Sequence, residues 1–370
     1  MKRKDLLDLL QRKFPEEYAE DWDNTGFIID VGKNEYERIL VALELAPEVL
    51  SEAVELGVDI VITHHPIVFK PIKKLSAKIV EDSMIIECIK NDISVFAIHT
   101  NCDNYDGGTN DYLSKLIGLR ETEVLLPLEK TYVKLAVFAP NGYVQKIRNR
   151  MGQMGGGSIG PYSHCTFAGK GTGSFKPLVG SKAFIGEIGK LETVEEMRLE
   201  TILPSSKIES MVQAIKEVHP YEEMAYDIIP LANLNKNTGS GRIGRLNNPM
   251  TLKMLLEKLK DILSADALRY TGDENKIIDK VGLSTGSGSD LIRVAYRRGV
   301  DCFLTGDIKY HDAQFARINN MALVDIGHYE SENIFKYALR QMLVEESDTI
   351  MQTPDIMVSK EDINPFRFFK

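Results

Sequence analysis

Short apolar runs alternate with amphipathic stretches from the start of the chain to about residue 125. ERILVALEL (37 to 45) predicts a strand, PEVLSEAVELG (47 to 57) a helix closed by Gly57, and VDIVITHH (58 to 65) a second strand. AKIVEDSMIIECIKND (77 to 92) carries the apolar spacing of a helix, and ISVFAIHT (93 to 100) again reads as a strand. β-branched apolar runs set between amphipathic helices imply an α/β unit with a largely buried sheet.

The rhythm changes near Lys130. TYVKLAVFAP is strand-like, NGYVQKIRNRMGQM helical and HCTFAGKG strand-like, and the Gly-rich GTGSFKPLVGSKAFIG follows. VEEMRLETILP (194 to 204) alternates as a strand, SSKIESMVQAIKEVH (205 to 219) is helical, and YEEMAYDIIPL is a strand. This order, β-α-β-β-α-β, is the split pattern of a ferredoxin-like domain. The turn-rich TGSGRIGRL (238 to 246) reads as a return linker, after which strands and helices alternate again. The expected organisation is one α/β core built from residues 1 to 129 and 233 to 370, interrupted by an inserted α+β domain over 130 to 232.

Composition narrows the function classes. A chain of 370 residues predicts two or three domains, and 43% hydrophobic with 27% charged residues is ordinary for a globular protein. A formal charge of −9 disfavours a nucleic-acid binder. Cys88, Cys102, Cys165 and Cys302 lack CxxC spacing, so neither a disulfide framework nor a zinc ribbon is indicated, and reduced thiols in the cytoplasm are expected. The first residues form an amphipathic pattern rather than a signal peptide, and no run approaches the roughly 18 apolar residues of a membrane span.

Three apolar strands end in residues that bind metals. VITHHP supplies His64 and His65, VFAIHTNCDN supplies His99 and Asp103, and ALVDIGHYESE supplies His328 and Glu332, four apart and so on one helix face. Neighbours within a strand point to opposite faces, so adjacent histidines share a site only where the backbone turns. Ligands in open α/β sheets bind beyond the carboxyl ends of strands, and these ends meet if the strands are parallel neighbours. Taken singly, Glu332 also reads as a helix cap, Asp103 as a turn residue and each histidine as a satisfied imidazole. Together, histidines with carboxylates suit zinc, iron, manganese, cobalt or nickel better than calcium or magnesium. Five donors exceed what one catalytic ion takes, and a bridging carboxylate would suit two ions roughly 3.5–4 Å apart. The turn at Gly286, Ser287 and Gly288 in VGLSTGSGSDLI lies between a strand and a helix, where backbone amides cradle anions, although tight packing explains it equally. Asp307 and His311 in TGDIKYHD are candidates to orient a ligand or a metal-bound water, although a helix cap and a surface histidine explain them nearly as well.

THHP, HTNCDN and GHYESE, together with WDNTG near the start and TGDIKYHDA at 305 to 313, resemble the Nif-three-like family, also labelled GTP cyclohydrolase 1 type 2 homologues. The resemblance runs over essentially the whole chain. It implies a dinuclear metal centre in an α/β fold, assembled as a toroidal homohexamer, with ligands at His64, His65, Asp103, His328 and Glu332. It also implies that the insertion, ending in HPYEEMAYDI, is a PII-like or CutA-like module. The leading expectation is a hydrolase on a nucleotide or related small molecule, using two divalent ions, zinc first among them. Glu332 would bridge, and His99 or His311 would move protons. The rival expectation is a metal-binding or regulatory scaffold without turnover, its insertion sensing a ligand.

Overall fold

The computed structural model describes residues 1–128, 132–233, 236–347, 353–361 and 363–369. The chain divides into two compact units, Met1–Leu128 with Lys236–Lys370, and Glu129–Asn235. The expected first boundary, at residues 129 and 130, lies outside the described residues. The strands of the first segment are β1 (Gly26–Ile29), β2 (Arg38–Ala42), β3 (Ile60–Thr63), β4 (Ser94–Ala97) and β5 (Leu119–Pro127). Those of the second unit are β6 (Tyr132–Pro140), β7 (Thr166–Phe175), β8 (Glu192–Pro204) and β9 (Tyr226–Pro230). β10 (Gly239–Thr251), β11 (Arg269–Thr271), β12 (Ile277–Leu283), β13 (Cys302–Thr305), β14 (Ala322–Asp325) and β15 (Asp355–Val358) belong to the first unit.

The first unit is an α/β structure with two sheets, ordered β1-β4-β3-β2-β15 and β11-β14-β13-β12-β10-β5. β15, β2, β3 and β4 run parallel, as do β12, β13 and β14. Every residue of IVIT, SVFA, CFLT and ALVD is buried. Strands covered on both faces need no polar alternation, which is why they read as continuous apolar runs. The helix Pro47–Leu56 starts with proline in its first turn and stops at Gly57, which takes the left-handed φ of 61°.

The sheets differ from the expected arrangement in two places. The three donor-bearing strands do not share one sheet: β3 and β4 are parallel neighbours, whereas β14 belongs to the other sheet. TGSGRIGRL is no linker but the first part of β10, paired antiparallel with both β5 and β12. Its glycines hid it, and they are there for close approach: a Cβ on Gly239 would lie 2.2 Å from the Leu126 carbonyl oxygen. Arg242 of β10 is buried and has all five N–H donors satisfied. It pairs bidentately with Asp111 at 2.8 and 2.7 Å and donates to the Tyr105, Gly239 and Gly241 carbonyls. Where β5 ends, the Leu128 amide donates to the Thr238 carbonyl at 3.0 Å, beside the Pro127–Gly239 pair of the ladder.

The second unit is a four-stranded antiparallel sheet ordered β7-β8-β6-β9. Helix Val144–Gln153 joins β6 towards β7, and helix Ile208–Lys216 joins β8 towards β9. Ile147, Met151, Met211 and Ile215 from these helices form one core with Leu135, Val137 and Leu199 from the sheet. GTGSF continues β7 despite its glycines, because the ladder to β8 uses only backbone groups. At its own ends, the Leu231 amide donates to the Tyr132 carbonyl at 3.1 Å.

Candidate metal centre

β3 ends at Thr63, and the amides of His64 and His65 both donate to the Leu43 carbonyl, at 3.0 and 2.9 Å. The backbone has therefore turned, and the two rings lie on the same side with centroids 5.2 Å apart. β4 ends at Ala97, followed by His99 and the short helix Thr100–Asn104 that carries Asp103. From the second sheet, β14 leads to helix His328–Glu332, whose two end residues approach within 2.9 Å. Ligand atoms of His64, Asp103 and Glu332 lie within 4.8 Å of one another, as do those of His65, His328 and Glu332, and of His64, His65 and His99. These side chains are able to hold a metal ion.

Each imidazole is held through Nδ1. His64 Nδ1–H donates to the Ile98 carbonyl at 2.9 Å; a carbonyl only accepts, so this fixes the tautomer and leaves the Nε2 lone pair bare. His65 Nδ1 is held by Glu44 at 3.1 Å, His99 Nδ1 by Asp23 at 2.8 Å and His328 Nδ1 by Asp307 at 2.7 Å. Burial pushes the Asp23 carboxyl up, but hydrogen bonds from His99 and Thr100 outweigh it and hold it at about 2, so it stays an ionised acceptor. His64, His65 and His328 turn Nε2 towards the buried Glu332. Its Oε2 lies 2.8 Å from His65 and 2.9 Å from His328, and its Oε1 3.6 Å from His64. A bare imidazole nitrogen and a carboxylate oxygen attract only if a cation, proton or metal, lies between them. Burial alone would lower His65, yet its hydrogen bonds with Glu332 and Glu44 raise it to about 10; the Glu332 hydrogen bond raises His328 to about 9. Burial likewise pushes Glu332 up, and the surrounding histidines override it, holding the carboxyl well below its usual range.

His64 Nε2 is fully buried and has no hydrogen-bond partner; its nearest anionic oxygens are Glu332 Oε1 at 3.6 Å and Asp103 Oδ2 at 3.7 Å. Those distances are too long for hydrogen bonds and suit oxygen and nitrogen ligands of one ion, each about 2 Å from it. The donor set fits a first-row divalent metal. Gly286, at φ 60°, backs this arrangement, since a Cβ there would lie 1.9 Å from Glu332 Oε1.

The amides of Thr285, Gly286 and Gly288 already donate to Asn110 Oδ1, Ser331 Oγ and Thr305 Oγ1, at 2.9, 3.0 and 2.8 Å, so those three do not face an anion. Ser287 is exposed. His311 is exposed on helix Tyr310–Ile318, in ring contact with Tyr310, and is not among the gathered donors. Asp307 does orient His328. Glu44 and Asp23 were not singled out from the sequence; their only signal is position, Glu44 two residues beyond β2 and Asp23 inside WDNTG. A cavity of about 620 Å³ opens beside His65 and His328, bordered also by Glu44, Asp307, Arg269 and Phe366. Exposed Trp22 and Phe69 stack at 6.5 Å, and each meets the His99 ring at 5.8 Å. The four cysteines are free, and no helix among the described residues is long and apolar enough to cross a membrane.

Residues 1–365 match the family model described as Duf34/NIF3 (NGG1p interacting factor 3). A GTP cyclohydrolase 1 type 2 homolog of Bacillus subtilis is 40% identical over 367 residues, covering 98% of this chain and 97% of the relative. One from Halalkalibacterium halodurans is 36% identical over 364 residues, 98% of both chains. Among solved structures, a Bacillus cereus protein related to NIF3 is 36% identical with a TM-score of 0.83, covering 100% of this chain and 99% of its own. A Staphylococcus aureus protein is 30% identical with a TM-score of 0.80 and the same coverage.

Proposed function

The chain belongs to the Duf34/NIF3 family, and from that footing we propose that it is a dinuclear metal protein that hydrolyses a nucleotide or related heterocyclic small molecule. The observation that carries the reading is the buried, unpartnered Nε2 of His64 between two carboxylates. His64, Asp103 and one oxygen of Glu332 would hold one ion, and His65, His328 and the other oxygen a second. Zinc is the first candidate, then iron, manganese, cobalt or nickel. Ions in that position supply Lewis acidity, polarising the scissile bond and acidifying water. Glu44, Asp307 and the Ile98 carbonyl keep three imidazoles aimed inward. His99, anchored by Asp23, offers Nε2 beside the same group and is placed to move a proton there. Trp22 and Phe69 beside it offer a flat aromatic face for a planar ring, which supports a heterocyclic substrate.

We assign the chain to a reducing cytoplasm, as a homohexamer, and read the Glu129–Asn235 unit as a PII-like module; light scattering tests the assembly. The central test is metal analysis of the purified protein with a screen of nucleotides and phosphoesters, with and without chelator. Metal-dependent turnover of a nucleotide is expected. Metal content near zero after careful reloading would reject the centre. Full metal content without turnover across the screen would instead favour a regulatory scaffold.

A further inference from the structure

A second cavity, of about 440 Å³, lies wholly within the Glu129–Asn235 unit. Its volume falls within the roughly 300–1,000 Å³ of small-molecule sites. Its aromatic walls are Phe138 of β6, Phe175 at the end of β7, Phe184 in the connection to β8, and Tyr221. The Tyr221 ring stands 6.3 Å from Phe175 and 6.1 Å from Phe184. Glu196, Glu222 and Glu223 open onto the same space, and no lysine, arginine or histidine among the described residues lines it.

Two of the three carboxylates are held by neutral donors. Glu196 Oε1 accepts from the Tyr221 hydroxyl and Glu222 Oε2 from the Lys182 backbone amide, both at 2.8 Å. Among the described residues the ion pairs of this unit go elsewhere: Lys134 and Arg198 to Glu200, Arg150 to Glu217, and Lys190 to Glu187. Arg198 lies 5.8 Å from the Phe138 ring centroid but is committed to Glu200. Gly173 keeps room for the acid, since a Cβ there would lie 2.3 Å from Glu196 Oε2.

Negative ring faces and carboxylates without a counter-ion both attract a cation and repel a phosphate. A bare metal ion is a poor match, because no three donors of this unit lie within coordination reach of one another among the described residues. We propose that this cavity binds a small organic polyammonium ion, its methylenes against the aromatic rings and its ammonium groups at the carboxylates. The inserted unit then takes a ligand opposite in charge to a nucleotide, independently of what the metal centre does.

The test is calorimetric titration of the full-length protein with spermidine, putrescine, ATP and a lysine-containing peptide blocked at both ends. Saturable binding of spermidine at one per chain is expected, at least tenfold tighter than the peptide, and any ATP binding, which the metal centre would account for, should be unchanged by substitutions in this cavity. Glu196→Gln and Phe184→Ala should each weaken spermidine at least tenfold. Phe184 is 51% exposed, so its removal spares the core. Glu217→Gln, away from the cavity, should leave the affinity unchanged. Absence of saturable spermidine binding would overturn the proposal. So would equal affinity in all variants, which would mean general attraction to an acidic surface. Binding of ATP or the peptide, lost on the same substitutions and tighter than spermidine, would overturn it as well.

Discussion

His64 and His219 are both buried, at 0% and 9% exposure, one in each unit, and they use burial in opposite ways. His219 Nε2–H donates to the Phe138 carbonyl at 3.0 Å, and its Nδ1 accepts the Tyr221 amide at 3.1 Å. The ring is complete as a neutral imidazole, and burial pushes its pKa down. His64 satisfies only Nδ1 and aims Nε2 at two carboxylates. Leaving a buried acceptor unmatched costs about 1–3 kcal/mol. Burial therefore does not separate a structural histidine from a ligand; the unused lone pair does.

That contrast is broken most severely by Glu332→Ala, which removes the carboxylate faced by three imidazoles. Retention of both proposed ions through gel filtration should be lost, as read by elemental analysis; full occupancy would remove Glu332 from the centre. Gly286→Ala should act in the same direction but less, because the new methyl group displaces Glu332 Oε1 rather than deleting it. Unchanged metal affinity there would mean that the turn yields easily. Asp307→Asn should weaken metal binding about 10–100-fold, mainly for the ion at His328, since it disturbs only the ring's orientation. Titration against a chromophoric chelator would detect it. His219→Leu should leave metal content unchanged and lower stability by about 1–3 kcal/mol in urea, from the stranded Phe138 carbonyl and Tyr221 amide. Metal loss in that variant would erase the distinction between the two histidines.

The sequence made the donors visible because they follow apolar runs that stop abruptly: His64 after IVIT, His99 after SVFA, His328 after ALVD. It also made the i,i+4 pair of His328 and Glu332 visible, because that spacing has one meaning on a helix. What was hidden depends on long-range pairing. β14 was not separable from β3 and β4, since a buried parallel strand looks the same in either sheet. β10 was masked by its glycines, and with it Arg242, a charge that only the folded state surrounds with five acceptors. Glu44 and Asp23 resemble any surface acid until the histidines they hold are in place.

The Leu128–Thr238 hydrogen bond makes the first unit's departing and returning chain a single seam, and the Tyr132–Leu231 bond gives the second unit a seam of its own. In genetic terms, everything between the two strands β5 and β10 is one cassette. Its removal or exchange would alter the length of one connection, and no ladder of the first unit's two sheets runs through it. Each doubling of a flexible connection costs only about 0.6 kcal/mol, so the junction tolerates cargo of very different size. Recombination at this joint would therefore give or withdraw the inserted unit in one event, without asking the unit that carries the candidate metal centre to evolve in step.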